Sequence, residues 1–351
     1  MVFCTLFDSN YLDKGLVMYR SLKKVKRDFK MYILAMDEKC RNVLNDYNYK
    51  EIVVIPLDVF VKDNGLEEIL KTRPRGEFCW TCTSFLIDYV LTEYNEEICT
   101  YVDSDLCFYS DPQCLINEMG DKTVQIVEHR YNPSISGKLV GSKSGRYCVQ
   151  FNTFKNTPDS LELLRWWKEQ CFESCTISAG GNNVWGDQGY LEKWGDKPDV
   201  SVLQHPGGGV APWNVIQYRL VTKDSAVVLE QKSTGKQFPL VFYHYHNISY
   251  IERNKVAISV YEPWKEDRSL IEHLYINYLR ELDKTKSELN ERYGFFPLLK
   301  SHPALKNVQK KKKTISSVLR SVDRLFFYKL IDKLVISQKR KKYAYLNEIS
   351  F

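Results

Sequence analysis

Nowhere in this sequence is there an uncharged apolar run approaching the roughly 18 residues that a membrane-crossing helix needs. Any contact with a bilayer is therefore expected to be peripheral. No internal repeat appears, and no nucleic-acid recognition motif accompanies the basic residues. Cys79-Trp-Thr-Cys82 has the spacing of a redox or zinc pair, but no second pair matches it, and Cys171 and Cys175 lie four apart as helix neighbours would. With no secretory leader recognisable ahead of them, the ten cysteines are expected to be reduced and mostly buried, as in a cytoplasmic protein.

What is present is a chain of 351 residues, long enough for one large α/β domain or two smaller ones. Its 50 basic and 44 acidic residues look balanced until they are divided by position. Residues 303–351 hold thirteen Lys and Arg against three acidic side chains, which leaves 37 basic and 41 acidic residues in the rest. Only the tail is basic. Its apolar residues Ile315, Val318, Leu319, Val322, Leu325 and Phe326 fall on one helical stripe, with Arg320 and Arg324 opposite. Such a helix can lie on an anionic membrane surface, or pack on protein with its lysines in water.

Short apolar, β-branched runs at Val2 to Phe7, Lys30 to Met36 and Glu51 to Pro56 alternate with helical spacing such as Leu16 to Leu22. That alternation predicts a mostly parallel sheet flanked by helices, in which ligands gather beyond the carboxyl ends of the strands. Further strands are expected at Ile98 to Val102, Thr123 to Val127, Tyr147 to Lys155, Val200 to His205 and Pro239 to His246. Helices are expected over Phe85 to Leu91, from near Asp159, from Trp185 to Leu191 and after Glu262. Pro206 to Gly209 reads as a flexible connection. The domain reading is a catalytic unit over 1–260, helical elements packed on it over 261–302, and the basic amphipathic tail over 303–351.

Asp103-Ser-Asp105, at the end of the Ile98 strand, sets two carboxylates on roughly the same side. Hard cations such as Mg²⁺ or Mn²⁺ are held by one or two carboxylates and complete their shells with water and phosphate oxygens. By itself Asp-x-Asp is also a common turn. His244 and His246 end another strand, where an imidazole could join carboxylates around Mn²⁺, or one ring could pack and the other be solvated. Asp187-Gln188 opens a predicted helix, where Asp187 serves either as an N-cap or in catalysis. Of Trp80, Trp166, Trp167, Trp185 and Trp213, most are expected in the core, leaving one or two to stack on a sugar or base.

In this order the features resemble the glycosyltransferases of the GT-A fold, and specifically the family 8 nucleotide-sugar transferases with their bacterial surface-polysaccharide relatives. The resemblance covers roughly residues 1–255. It implies that Thr5-Leu6-Phe7-Asp8-Ser9-Asn10-Tyr11 forms the first strand and uridine pocket, with Thr5, Leu6, Asp8, Asn10 and Tyr11 as donor-binding positions. Tyr101-Val-Asp-Ser-Asp105 matches the metal motif, so Asp103, Asp105 and His244 are the implied ligands of Mn²⁺ or Mg²⁺, with Ser104 beside the donor. Gly186-Asp-Gln188 matches the family's Gly-Asp-Gln element, which makes Asp187 and Gln188 the implied catalytic pair facing the sugar. Ala211-Pro-Trp-Asn214 falls where an Asn-containing loop is usual.

Three positions depart from the pattern. Cys148 and Gln150 stand where Asn and Gly are usual, and Asn152, on the same face of the strand, is expected to take the sugar contact. No Lys-Pro-Trp follows His244, so Arg253 or Lys255 is expected to help hold the diphosphate. The family's arginine is not evident near Thr81 to Ser84. What the resemblance implies is a metal-dependent transferase, moving a sugar from a UDP-sugar to a saccharide or lipid-linked saccharide with retention, in surface polysaccharide or lipopolysaccharide assembly. Nucleic acid is not expected as a partner, and the expected location is the cytoplasm, peripheral on the inner face of the membrane. Two other readings remain at this point. A metal-dependent nucleotidyltransferase would want a Gly-rich basic loop after the first strand, which Asp8 to Tyr11 is not; a non-catalytic sugar-nucleotide-binding scaffold would explain Cys148 and Gln150.

Overall fold

The computed structural model describes residues 1–133, 144–176, 185–223, 226–252, 255–258, 267–299 and 344–345. It divides into two compact units, Met1–Val210 with Leu240–His244, and Ala211–Pro239 with Tyr245–Phe351. In the first unit, β1 (Val2–Phe7), β2 (Lys30–Ala35), β3 (Ile52–Pro56) and β4 (Ile98–Val102) are the apolar runs expected, joined by helices α1 (Leu12–Val25), α2 (Glu38–Tyr47), α3 (Leu57–Asp63), α4 (Glu67–Thr72) and α5 (Arg75–Thr92). β5 (Leu106–Phe108), α6 (Gln113–Asn117), β6 (Val124–Glu128), β7 (Tyr147–Lys155), α7 (Pro158–Glu173) and β8 (Val200–Val202) follow. Seven strands form one sheet in the order β3-β2-β1-β4-β7-β6-β8. All neighbours pair parallel except β7, which runs against both β4 and β6. This is the mostly parallel α/β sheet flanked by helices that the alternation of patterns predicts.

Strands covered on both faces need continuous apolar sequence, and β1, β2 and β4 have it. Helix starts follow local chemistry. Asp37 accepts from Cys40 N at the start of α2, and Thr157 accepts from Ser160 N with Pro158 at the first turn of α7. The core under β7 is aromatic: Phe154, Trp167 and Trp194 are fully buried, with the two indoles edge-to-face at 5.2 Å. Each such ring resists truncation by on the order of 3–5 kcal/mol.

Several boundaries differ from the sequence reading. α5 begins ten residues before Phe85, so Cys79 and Cys82 ride on a helix. All ten cysteines are free thiols, seven of them buried. The helix expected at Trp185 is a 3-10 turn, Gln188–Lys193, and the strand expected through His205 ends at Val202. The Pro206 to Gly209 connection is fastened, because Val241 N donates to Gly207 O at 2.9 Å and Gly207 N donates to His205 Nδ1 at 3.1 Å.

The late strand of the first unit is only Phe242–His244 and pairs antiparallel with β5. In the second unit, Tyr218–Thr222, Val228–Gln231 and Gln237–Pro239 form an antiparallel sheet, and the helix Arg268–Tyr293 buries Tyr275, Tyr278, Leu279 and Leu282. Of the basic tail, only Ala344–Tyr345 lies within the described residues, as a strand paired with Lys255–Ala257.

Candidate active site

β4 ends at Val102, and the chain turns through Asp103 and Ser104 before β5 begins. Leu106 N donates to Asp103 O at 3.3 Å across the turn, and Asp103 N donates to Gln150 O at 3.2 Å, tying the turn to β7. Pairing of Phe242–His244 with β5 sets His244 opposite Leu106. The imidazole is thereby carried to the carboxylates: His244 Nε2 lies 3.0 Å from Asp105 Oδ1 and 3.7 Å from Asp103 Oδ2. One ligand atom from each of the three lies within 4.8 Å of the others, the one such cluster among the described residues. Around an octahedral ion with bonds of about 2.1 Å, adjacent ligands sit about 3.0 Å apart. The Asp105–His244 separation matches that spacing and the Asp103–His244 separation is wider; two carboxylate oxygens and one imidazole nitrogen are a donor set for a divalent cation.

Charge in the cluster is tightly balanced. Burial raises the pKa of Asp103 to about 6; His244 opposes that rise, the charge of Asp105 adds to it, and a Tyr101 hydrogen bond lowers it. His244 is 4 % exposed, and burial alone would pull its pKa down. The charge and hydrogen bond of Asp105, with help from Cys148 and Asp103, carry it well above the ordinary histidine range. On the far side of the ring, Nδ1 meets Gln150 Oε1 at 2.9 Å in a buried contact. The second histidine of the pair, His246, is exposed and lies edge-to-face with Trp213 at 5.5 Å in the second unit.

Asp187 caps nothing: its backbone is already helical, and its side chain makes no capping bond to the turn that follows. Instead the carboxyl is buried against the Thr83 hydroxyl, and the backbone carbonyl of Asp187 accepts from Trp167 Nε1 at 3.0 Å. Burial, with the nearby charge of Asp103 second, raises its pKa to about 7 against the hydrogen bonds from Thr83 and the backbone. Gly186 precedes it at φ +60°, where a Cβ would stand 3.2 Å from Trp80 Cε3, so the tight approach to α5 needs glycine. Gln188 donates Nε2 to Ser144 O at 2.7 Å.

The expected nucleotide pocket is a short 3-10 turn, Ser9–Tyr11, after β1. Asp8 accepts from Asn10 N at 3.0 Å and from Asn10 Nδ2 at 3.3 Å, while Ser9 N donates to Asp37 at 2.9 Å. Arg75, at the start of α5, donates to Met36 O at 2.7 Å and sets Nη2 3.5 Å from Asp8 and 3.8 Å from Asp37. Tyr11 lies near both Asp105 and Asp8; burial first, then their charges, raises its pKa. Lys14 Nζ stands 3.8 Å from the centroid of the Tyr11 ring.

Of the residues singled out from the sequence, Asp103, Asp105 and His244 come together, Asp103 is close enough to perturb Asp187, and Tyr11 lies near both Asp8 and Asp105. Ser104 is half-buried in the turn between the carboxylates. Thr5 and Leu6 are buried within β1, the latter in the core. Asn152 is fully buried opposite Tyr101, and neither of its amide atoms has a hydrogen-bond partner among the described residues. Arg253 lies outside the described residues. Sequence reading missed Arg75, Thr83 and the inward contact of Gln150. Arg75 was discoverable only by starting α5 ten residues earlier; Thr83 and Gln150 carry no signal of their own, because their partners are far away in the chain.

No family model matches the sequence. Two proteins of Bacillus subtilis (strain 168) are similar to it: YfnF, 29 % identical over 84 % of this chain and 96 % of its own length, and YfnD, 26 % identical over 84 % and 94 %. Both are described as uncharacterized. The solved structures that resemble it are glycosyltransferases. They include the galactosyltransferase LgtC with donor and acceptor sugar analogues (13 % identity, 70 % of this chain and 87 % of that one, TM-score 0.41) and mouse xyloside xylosyltransferase 1 (12 %, 70 % and 98 %, TM-score 0.44). The bifunctional glycosyltransferase WbbM is another (12 %, TM-score 0.46), with 83 % of this chain covered against 51 % of WbbM.

Proposed function

We propose that this chain is a metal-dependent glycosyltransferase that moves a sugar from a UDP-sugar to a saccharide or lipid-linked saccharide acceptor, with retention of configuration. The observation that carries the reading is the convergence of Asp103, Asp105 and His244 beyond the carboxyl end of β4, beside the Asp8 to Tyr11 turn beyond β1. Open α/β sheets bind ligands at such an edge. Asp103, Asp105 and His244 would hold Mn²⁺ or Mg²⁺, which when bound neutralises the charge that grows on a departing diphosphate.

The chain's own residues do the rest. Asp8 and Asn10 form a preorganised hydrogen-bonding turn for the base and ribose, with Arg75 steadying the Asp8 carboxylate. Asp187, buried with no cation paired to it among the described residues, is suited to face a sugar that acquires positive character as its bond to phosphate breaks. A hydrogen bond from Thr83 holds that carboxyl in position, while Trp167 Nε1 holds the backbone carbonyl of the same residue. Retention by front-face departure lets a donor phosphate oxygen take the acceptor's proton, so no protein base is required. Gln150, whose presence had favoured a non-catalytic scaffold, touches His244 and so supports a working metal site. The Asp8-capped turn lacks the glycines and basic residues of a nucleotidyltransferase loop.

A panel of UDP-sugars with Mn²⁺, scored by release of UDP, tests the activity and names the donor. Asp105→Ala is expected to abolish metal-dependent turnover with its unfolding temperature kept within a few degrees. Substantial Mn²⁺-dependent release of UDP by that variant would sink the assignment.

A further inference from the structure

A histidine ligand can offer a metal only the ring nitrogen that carries no proton, and the partner of the other nitrogen decides which one that is. Here the two nitrogens of His244 face different worlds. Nε2 looks at Asp103 and Asp105, while Nδ1 is buried 2.9 Å from Gln150 Oε1. We propose that Gln150 is a positioning residue that keeps the proton of His244 on Nδ1 and so presents the Nε2 lone pair to the cation site. The inference rests on the metal-dependent reading above.

Three observations support it. First, the contact is fully sequestered, since Gln150 is 0 % and His244 4 % exposed, so water cannot replace the amide oxygen. Second, an amide oxygen can only accept, so a hydrogen bond between Gln150 Oε1 and Nδ1 requires the proton to sit on Nδ1. When a cation takes the place of the Nε2 proton, the Nδ1 bond is unchanged, so the ring need not turn. Third, Gln150 touches two of the three ligand residues: its carbonyl accepts from Asp103 N at 3.2 Å while its side chain holds His244. The register of β7 against β4 therefore sets the metal-motif turn and the imidazole from a single residue. Gly209 guards the position from the far side, where a Cβ would come within 3.3 Å of Gln150 Nε2. The bland reading is a core glutamine satisfying a core histidine.

The two readings separate in the full-length protein. Mn²⁺ affinity is measured by electron paramagnetic resonance of the free ion, and the His244 tautomer by nitrogen-15 NMR. Gln150→Leu is expected to weaken Mn²⁺ binding about 10–100-fold, the effect of losing a partner of this kind, and to scramble the Nδ1–H signature. Gln150→Glu, which keeps an acceptor, is expected to hold Mn²⁺ affinity within a few-fold of wild type and to keep the Nδ1–H signature. If Gln150→Leu fails to fold, Gln150→Met, which keeps the volume and lacks a strong acceptor, takes its place with the same expected loss. Wild-type affinity and an intact Nδ1–H in the Leu or Met variant, or loss of the Nδ1–H signature in the Glu variant, overturns the inference and leaves the metal reading standing. A wild-type protein that binds no Mn²⁺ takes both away.

Discussion

Replacing Asp187 with Asn should make the metal-free protein more stable at neutral pH while destroying transfer. The carboxyl is 6 % exposed, and burial and the charge of Asp103 raise its pKa from 3.8 to about 7. The folded state therefore keeps a proton that the unfolded chain releases near its ordinary value. Stability drawn from this group is fully present below about pH 4 and is lost as the pH rises to about 7. With about 1.4 kcal/mol per pKa unit, the loss between pH 4.5 and 7.5 is about 3 kcal/mol. Asn is nearly isosteric, still meets the Thr83 hydroxyl, and does not ionise. The gap in stability between variant and wild type should thus widen by about 3 kcal/mol across that range, or roughly 6–12 °C in unfolding temperature for a domain of this size. The measurement is thermal unfolding in chelator at the two pH values, with the variant-minus-wild-type difference removing the titration of all other groups. A gap that stays constant with pH would refute the claim that an uncompensated charge is buried here. UDP release by the same variant should fall to background.

Two further outcomes follow from the same site. Mn²⁺ should raise the unfolding temperature of wild type more at pH 7.5 than at pH 5.5, because His244 must lose its Nε2 proton and its raised pKa delays that loss; a rise independent of pH would argue against imidazole ligation. Gly186→Ala should cost about 1–3 kcal/mol, read by urea denaturation, since φ +60° and a Cβ only 3.2 Å from Trp80 strain any other residue; an unchanged midpoint would remove Trp80 as the neighbour that demands glycine.

The α/β alternation, the apolar strands and the Asp103-Ser-Asp105 turn were legible from residue order, because strand periodicity and turn chemistry are local. So was the pairing of that turn with His244, though only through resemblance to a family. Local pattern misjudged element ends, as at Trp185 and His205, where caps and pairing partners rather than propensity decide the stop. It also left Asp187 between a cap and a catalytic carboxyl. The fold removes the first of these, because the 3-10 turn that follows takes no side-chain capping bond and the carboxyl is buried against Thr83, about a hundred residues earlier in the chain.

Gln150 shows the same division most sharply. In the sequence it is a polar interruption of an apolar strand and a departure from a familiar pattern. Once β7 is paired antiparallel with β4 and Phe242–His244 with β5, it touches both Asp103 and His244. Which residues can bind a cation was determined by side-chain chemistry, which the sequence carries in full. Which nitrogen of His244 faces Asp103 and Asp105, and which carboxyl is buried without a counter-charge among the described residues, was decided only by tertiary structure, because hydrogen bonding and desolvation depend on neighbours that strand register alone brings together.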